Sequence, residues 1–246
     1  MNKIHLVMPM GGNGTRFVNE GFDVPKPLIM LQSKPFFYWA VRSVTKFINV
    51  KDIIFVVLKK HVDKFYIDRR IKEYFPNSKI QIIPHTLNGA VLTCREGLKN
   101  ISDNLPILFN DCDHAFICHS FYDFCKAGSF DDIDGALLTF VSNNSNFSYV
   151  RFDDSGKVIG TVEKTVVSSE AICGAYYFKN KKIFEATLDL YLKNCSYNEF
   201  FISGLYNEMA LLNRDIATFQ TEEHITFGTP EEYNSAICDG RLDELL

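Results

Sequence analysis

A short apolar run that breaks into three glycines constrains this chain more than any other feature. Lys3–Met10 (KIHLVMPM) is apolar enough to be a buried parallel strand, and it leads directly into Gly11-Gly12-Asn13-Gly14. Glycines at the end of a strand let backbone amides approach an anion with no Cβ in the way. Arg16 and Lys26 follow closely. Arginine offers a planar fork of donors matched to phosphate oxygens, and lysine a mobile point charge. Pro25 and Pro27 restrict the backbone on both sides of Lys26. Strand, turn and cations together describe a phosphate site at the carboxyl end of a sheet. The turn fits neither GxGxxG nor GxxxxGK[ST], so the dinucleotide fingerprint and the P-loop are both set aside.

The pattern downstream supplies the sheet. Further strands are expected at Asp52–Leu58, Lys79–Ile83 and Ile107–Asn110, with helical periodicity over Phe36–Phe47, Val62–Phe75 and Gly89–Lys99. That order is βαβαβαβ, a parallel sheet with helices on both faces and right-handed crossovers. A helix at Ser120–Lys126 and a strand at Ala136–Val141 follow. The second half then changes character. Tyr149–Phe152 and Val158–Glu163 flank Asp153-Asp154-Ser155-Gly156 and read as a hairpin. Ala175–Phe178 reads as a strand, Lys181–Leu192 and Phe201–Leu212 as helices, and the segment after Thr229-Pro230 as a short acidic helix and tail. No repeat or linker interrupts the 246 residues, so one mixed-sheet domain with a substrate-side insertion is the simplest expectation.

Composition removes several classes of function. A net charge of -4 with no basic face argues against nucleic acid as a partner. Seven cysteines, an odd number without CxxC spacing, fit neither a disulfide framework nor a zinc ribbon; they read as reduced thiols of a cytoplasmic protein. The amino-terminal apolar run is interrupted by His5 and Pro9 and does not read as a secretory leader, and no stretch reaches the length of a membrane span.

Three more places carry candidate chemistry. The apolar Ile107–Asn110 ends in Asp111 and Asp113, carboxylates that suit a hard divalent ion holding phosphates. Capping of a loop is the plain alternative. His114 beside them is taken as supporting or structural, since oxygen ligands suit Mg²⁺ better. Asn88-Gly89, at a helix start, could present backbone groups to the edge of a base, or be ordinary punctuation. Glu163-Lys164 closes the hairpin, where Lys164 is either an acceptor ligand or an edge-strand lysine.

Taken in order, these segments resemble the sugar-1-phosphate nucleotidyltransferases of the nucleoside-triphosphate transferase family. GGNGTRF and PKPL resemble its opening signature, Gly89 its base-reading glycine, CDHAF its metal aspartate, VEK at Val162–Lys164 its glutamate-lysine pair, GAYYF from Gly174 its glycine-aromatic strand, and FGTPEEY from Phe227 its terminal segment. The resemblance implies a GT-A-like (Rossmann-like) α/β fold with a mixed, mainly parallel sheet and a small β-hairpin on the substrate side. It also implies a nucleotide-binding half of about 1–118 and an acceptor-binding half of about 119–246. By the same resemblance Met10, Gly11, Gly12, Gly14, Thr15, Arg16, Asn88, Gly89 and Asp111 would bind the nucleotide. Arg16, Lys26 and Lys164 would act in catalysis, Glu163, Lys164 and Gly174 would bind the acceptor, and Asp113 with Asp111 would hold Mg²⁺. Thr226 stands where many members have an aspartate completing the metal site, and Met10 where a small residue is usual.

The implied reaction moves a nucleoside monophosphate from a triphosphate to a sugar 1-phosphate and releases pyrophosphate, in surface-polysaccharide or capsule precursor synthesis. A CTP-dependent cytidylyltransferase acting on a small phosphomonoester, of phosphocholine or phospho-amino-acid type, is the second expectation. An inactive regulatory homologue is a third, disfavoured because Arg16, Lys26, Asp113 and Lys164 are all present. A glycosyltransferase using Asp111-Cys112-Asp113 ranks lower, because it gives no reason for the glycine-rich opening. The resemblance leaves a homo-oligomer open and points to no membrane partner.

Overall fold

The computed structural model describes residues 2–246. Nine strands form one mixed sheet: β1 Ile4–Met10, β2 Val50–Leu58, β3 Lys79–Ile83, β4 Ile107–Asn110, β5 Gly135–Val141, β6 Ser148–Phe152, β7 Val158–Glu163, β8 Glu170–Phe178 and β9 Ile216–Gln220. The order is β7-β6-β8-β4-β1-β2-β3, with β5 pairing both β8 and β9. β3, β2, β1 and β4 run parallel, and β8 is antiparallel to β4 and β5. The sheet thus runs through both halves of the chain.

Successive side chains of a strand point to opposite faces, and here both faces are covered. Leu6, Met8, Phe55 and Val57 pack into the core on one side, with the Phe36–Thr45 helix and its Phe37, Trp39 and Val41. Val7, Ile54, Val56 and Leu58 pack on the other, with Val91, Phe184 and Met209. This explains why β1, β4 and the carboxyl-terminal part of β2 read as apolar runs, while β3 at the sheet edge keeps Lys79 and Gln81. Among the described residues no helix is long and apolar enough to cross a membrane.

The switch point of the sheet lies between β1 and β4, because the chain leaves β1 toward β2 on one side and returns to β4 on the other. Pairing between them covers only His5–Val7 with Ile107–Phe109. Beyond Val7 the two strand ends part, opening a crevice of the kind that holds ligands in open α/β sheets.

The structure corrects three element boundaries. Val62–Phe75 is two helices, Lys59–Phe65 and Ile67–Tyr74, broken at Tyr66 with φ 53°. Side-chain periodicity does not register a single left-handed residue. The helix expected from Phe201 begins at Leu205, because Phe200 is hydrogen-bonded to the 88–91 segment: its N–H donates to the Asn88 carbonyl at 3.4 Å, and its carbonyl accepts from Val91 at 3.2 Å. β8 extends back to Glu170, and a register shift between Ile172 and Tyr176 hides that half from a period-2 search. Among the features that went unread are β9, the Thr15–Asn19 helix, a short Met30–Leu31 ladder with Lys34–Pro35, and a two-stranded ladder of His114–Ile117 with Glu223–Thr226.

Candidate active site

Six of the expected residues meet at the crevice. Met10, Gly12, Gly14, Lys26, Asp111 and Asp113 line a cavity of ≈ 210 Å³, with Pro9, Pro27 and Cys112. Gly14 has φ 64° and ψ 33° and starts the Thr15–Asn19 helix; a Cβ there would stand 3.1 Å from Lys26 Cβ. The left-handed turn folds the chain back so that the Lys26–Leu28 turn lies against the glycines. Gly11 lies behind the cavity, packed on Ile83 and Thr93.

Lys26 Nζ donates to Asp113 Oδ2 at 2.7 Å. Burial works against the ammonium, but the Asp113 carboxylate outweighs it and holds Lys26 above the ordinary lysine value. Burial likewise pushes Asp113 up, and Lys26 pulls it further down, to a net value below the usual carboxylate range. Asp111 goes the other way. Burial and the neighbouring Asp113 charge push it up to about 7, only partly offset by Lys26. Two carboxylates two residues apart therefore share one cation, and Asp111 is the one left short of positive charge.

Backbone hydrogen bonds fix this pair from both sides. The Asp111 N–H donates to the Gly174 carbonyl at 2.9 Å, and the Phe227 N–H to the Asp113 carbonyl at 3.0 Å. The FGTPEEY segment contributes through a capping box. The Thr229 hydroxyl accepts from the Glu232 N–H, Glu232 Oε2 accepts from the N–H groups of Gly228 and Thr229, and Pro230 opens the helix Pro230–Ala236. This brings Gly228 so close to Asp113 that a Cβ would sit 2.5 Å from Oδ2.

A second cavity of ≈ 170 Å³ lies on the other side of the same carboxylates. It is lined by Asp111, Asp113, His114, Cys173, Gly174, Tyr176, His224, Thr226, Gly228 and Glu232, with Asn146 and Ser148 at the hairpin. Burial drives the His114 imidazole down to about 4, so it is neutral at physiological pH.

Other expected residues lie apart from the two cavities. Arg16 and Thr15 are exposed on the helix after the turn, and Arg16 lies near enough to Glu231 to help lower its carboxyl pKa. Asn88 is exposed, while Gly89, at φ 99°, packs so tightly that a Cβ would be 2.4 Å from the Phe200 backbone. Glu163 Oε1 accepts from Ser148 Oγ at 2.7 Å and also from Ser203 Oγ. Lys164 follows in a left-handed conformation (φ 54°), with its ammonium 5.8 Å from the Phe201 ring centroid. Sequence reasoning missed Lys60 and Thr86, which both donate to Asn13 Oδ1, at 2.8 and 3.0 Å. Nothing in their local sequence marks them, since the contact joins segments far apart in the chain.

Fold and site define a GT-A-like α/β protein with a glycine-walled crevice at the sheet's switch point that holds Lys26, Asp111 and Asp113. The chain matches the nucleotidyl transferase family over residues 6–236 and belongs to it; by family it is a nucleotidyltransferase. D-glycero-alpha-D-manno-heptose 1-phosphate guanylyltransferase of Campylobacter jejuni is 25% identical over 242 residues, covering 94% of this chain and 97% of that protein. A probable mannose-1-phosphate guanyltransferase of Schizosaccharomyces pombe is 27% identical over 207 residues, covering 74% of this chain but 48% of that protein, so the match spans about half of it. Among solved structures, a nucleoside-diphosphate-sugar pyrophosphorylase from Vibrio cholerae superposes with TM-score 0.82 at 22% identity, covering 95% of this chain and 100% of that one. A putative glucose-1-phosphate thymidylyltransferase from Bacillus anthracis gives 0.73 at 17%, covering 96% and 94%. At these identities the solved structures speak for the fold alone.

Proposed function

We propose that this protein transfers a nucleoside monophosphate from a nucleoside triphosphate to the phosphate of a sugar 1-phosphate, with release of pyrophosphate. The observation that carries this reading is the pair of cavities sharing Asp111 and Asp113. One is walled by glycines and Lys26, as a triphosphate requires. The other opens toward the β6–β7 hairpin, where a second substrate can meet the first. An acceptor phosphate oxygen forms the new bond to the α-phosphorus, the bond to the β-phosphate oxygen breaks, and pyrophosphate leaves. A phosphomonoester is already an adequate nucleophile, so the protein supplies alignment and positive charge.

Within that reaction Lys26 neutralises charge developing at the α-phosphoryl group, and the amides of Gly12 and Gly14 hold the distal phosphates. Arg16, which makes no ion pair among the described residues, turns onto the leaving pyrophosphate, and Lys164 takes the acceptor phosphate. Asp113 and Asp111 suit Mg²⁺: they are a hard oxygen pair with more negative charge than Lys26 balances. When bound, Mg²⁺ would supply positive charge against that of the phosphates. Thr226 offers a hydroxyl in place of a further carboxylate.

The names of the two curated relatives favour GTP as donor and an aldose 1-phosphate as acceptor. Such a product would serve surface-polysaccharide precursor synthesis in the cytoplasm, where triphosphates are made and free thiols persist. The test is pyrophosphate release from GTP, dTTP, CTP, UTP and ATP against mannose, heptose and glucose 1-phosphates and phosphocholine. Turnover with CTP and phosphocholine alone would replace the reading by the cytidylyl one. No turnover with any pair, by folded protein in Mg²⁺, would refute the reading.

A further inference from the structure

Deep in the second cavity lie three side chains that the proposed transfer does not use. His114, Cys173 and His224 each offer one ligand atom, and these atoms all lie within 4.8 Å of one another. We infer that they form a metal site of their own, separate from the Asp111–Asp113 pair, which takes zinc(II) or a similar borderline transition-metal cation.

The ladder explains how distant residues converge. Thr226 pairs with His114 and His224 with Phe116, so His114 and His224 are diagonal neighbours on one face of the two-stranded ladder. Their ring centroids are 5.4 Å apart. Cys173 comes from β8 at its register shift, beside Gly174.

The chemistry of the three groups points to a cation. Both ring nitrogens of His114 and Nε2 of His224 are buried without a partner at hydrogen-bond geometry, although the Gly174 backbone lies close to the His114 ring, and His114 is only 3% exposed. Unpartnered buried polar atoms are uncommon and call for a ligand or another explanation. Tetrahedral zinc, with bonds of about 2.0–2.3 Å, sets its nitrogen and sulfur ligands about 3.3–3.6 Å apart, so small side-chain rotations close the set. Two imidazoles and a thiol select zinc over magnesium, whereas the adjacent carboxylates do the reverse. The fourth position falls to water, since Asp111 belongs to the neighbouring carboxylate pair. Burial raises the Cys173 thiol, so its proton leaves to solvent as the metal–sulfur bond forms, one proton for each ion bound.

The experiment titrates metal-stripped protein with Co²⁺ under saturating Mg²⁺ and follows absorption. The expected result is one equivalent bound, with a near-ultraviolet thiolate-to-cobalt band and tetrahedral visible bands that Zn²⁺ bleaches. Cys173→Ser should lose the thiolate band, and His224→Gln should weaken cobalt binding at least 10-fold. Cys238→Ser, at the exposed thiol, should keep the full spectrum. Circular dichroism checks that each variant is folded. The inference is overturned if the unmutated protein gives no thiolate band under Mg²⁺. It is equally overturned if the band survives Cys173→Ser or disappears with Cys238→Ser. The readout is spectroscopic, so its failure leaves the nucleotidyl-transfer reading intact.

Discussion

Replacing Lys26 with methionine separates what the lysine does for the fold from what it does for the reaction. The substitution keeps most of the side-chain volume and strips Asp113 of its 2.7 Å partner. The two side chains are 27% and 25% exposed. Removing one partner of a fully buried pair costs about 3–5 kcal/mol, and solvent screening at this exposure reduces that to about 2 kcal/mol. In a chain of this size that is a fall in Tm of about 4–8 °C. The sign of the pH dependence follows from Asp113. Its folded pKa is lowered, so its stabilising contribution is present at neutral pH and fades as pH falls through the acid range. The gap between Lys26→Met and the parent should therefore be widest near pH 7 and narrow below about pH 4. Adding Asp113→Asn removes the uncompensated charge and should recover most of the lost Tm. Turnover behaves differently. Lys26→Met should lower kcat by about 10²–10³, the loss typical of removing one preorganised charge donor, and the double variant should not recover it. Calorimetry and pyrophosphate release measured on the same three proteins decide the matter. Unimpaired kcat in Lys26→Met, or a double variant no more stable than the single, would refute the reasoning.

Three further outcomes are expected. Asp111 has a folded pKa raised to about 7, so the parent should lose stability as pH rises from about 4 to 7 and level off above it; Asp111→Asn, followed by thermal melts in metal-free buffer, should lack that slope. Gly89→Ala forces a Cβ onto the Phe200 backbone from a φ of 99°, so it should cost about 1–3 kcal/mol as overpacking does and raise KM for the triphosphate; an unchanged Tm would contradict the close contact. Thr229→Ala opens the capping box beside Gly228 and Asp113, and should cost about 1 kcal/mol in chemical denaturation while raising the Mg²⁺ concentration needed for half-maximal rate.

Local sequence alone determined the sheet's parallel half and one wall of the crevice. β1 and β4 are close to their expected ranges because strands buried on both faces are apolar almost throughout, a signal that needs no knowledge of partners. The glycine turn was legible for a similar reason: Gly14 must be left-handed to bring Lys26 back, and few residues but glycine do so cheaply. Asp111 and Asp113 announced themselves as charges ending an apolar strand. Tertiary structure alone decided how those parts are wired. Which carboxylate pairs with Lys26 depends on crossovers that set β1 beside β4. The bond of Phe200 to the 88–91 segment, Ser203 on Glu163, and Lys60 on Asn13 each join segments far apart in the chain, where no period or spacing records the contact. The meeting of His114, Cys173 and His224 is of the same kind. It arises from a ladder register and a strand irregularity, which are properties of pairing rather than of any one segment.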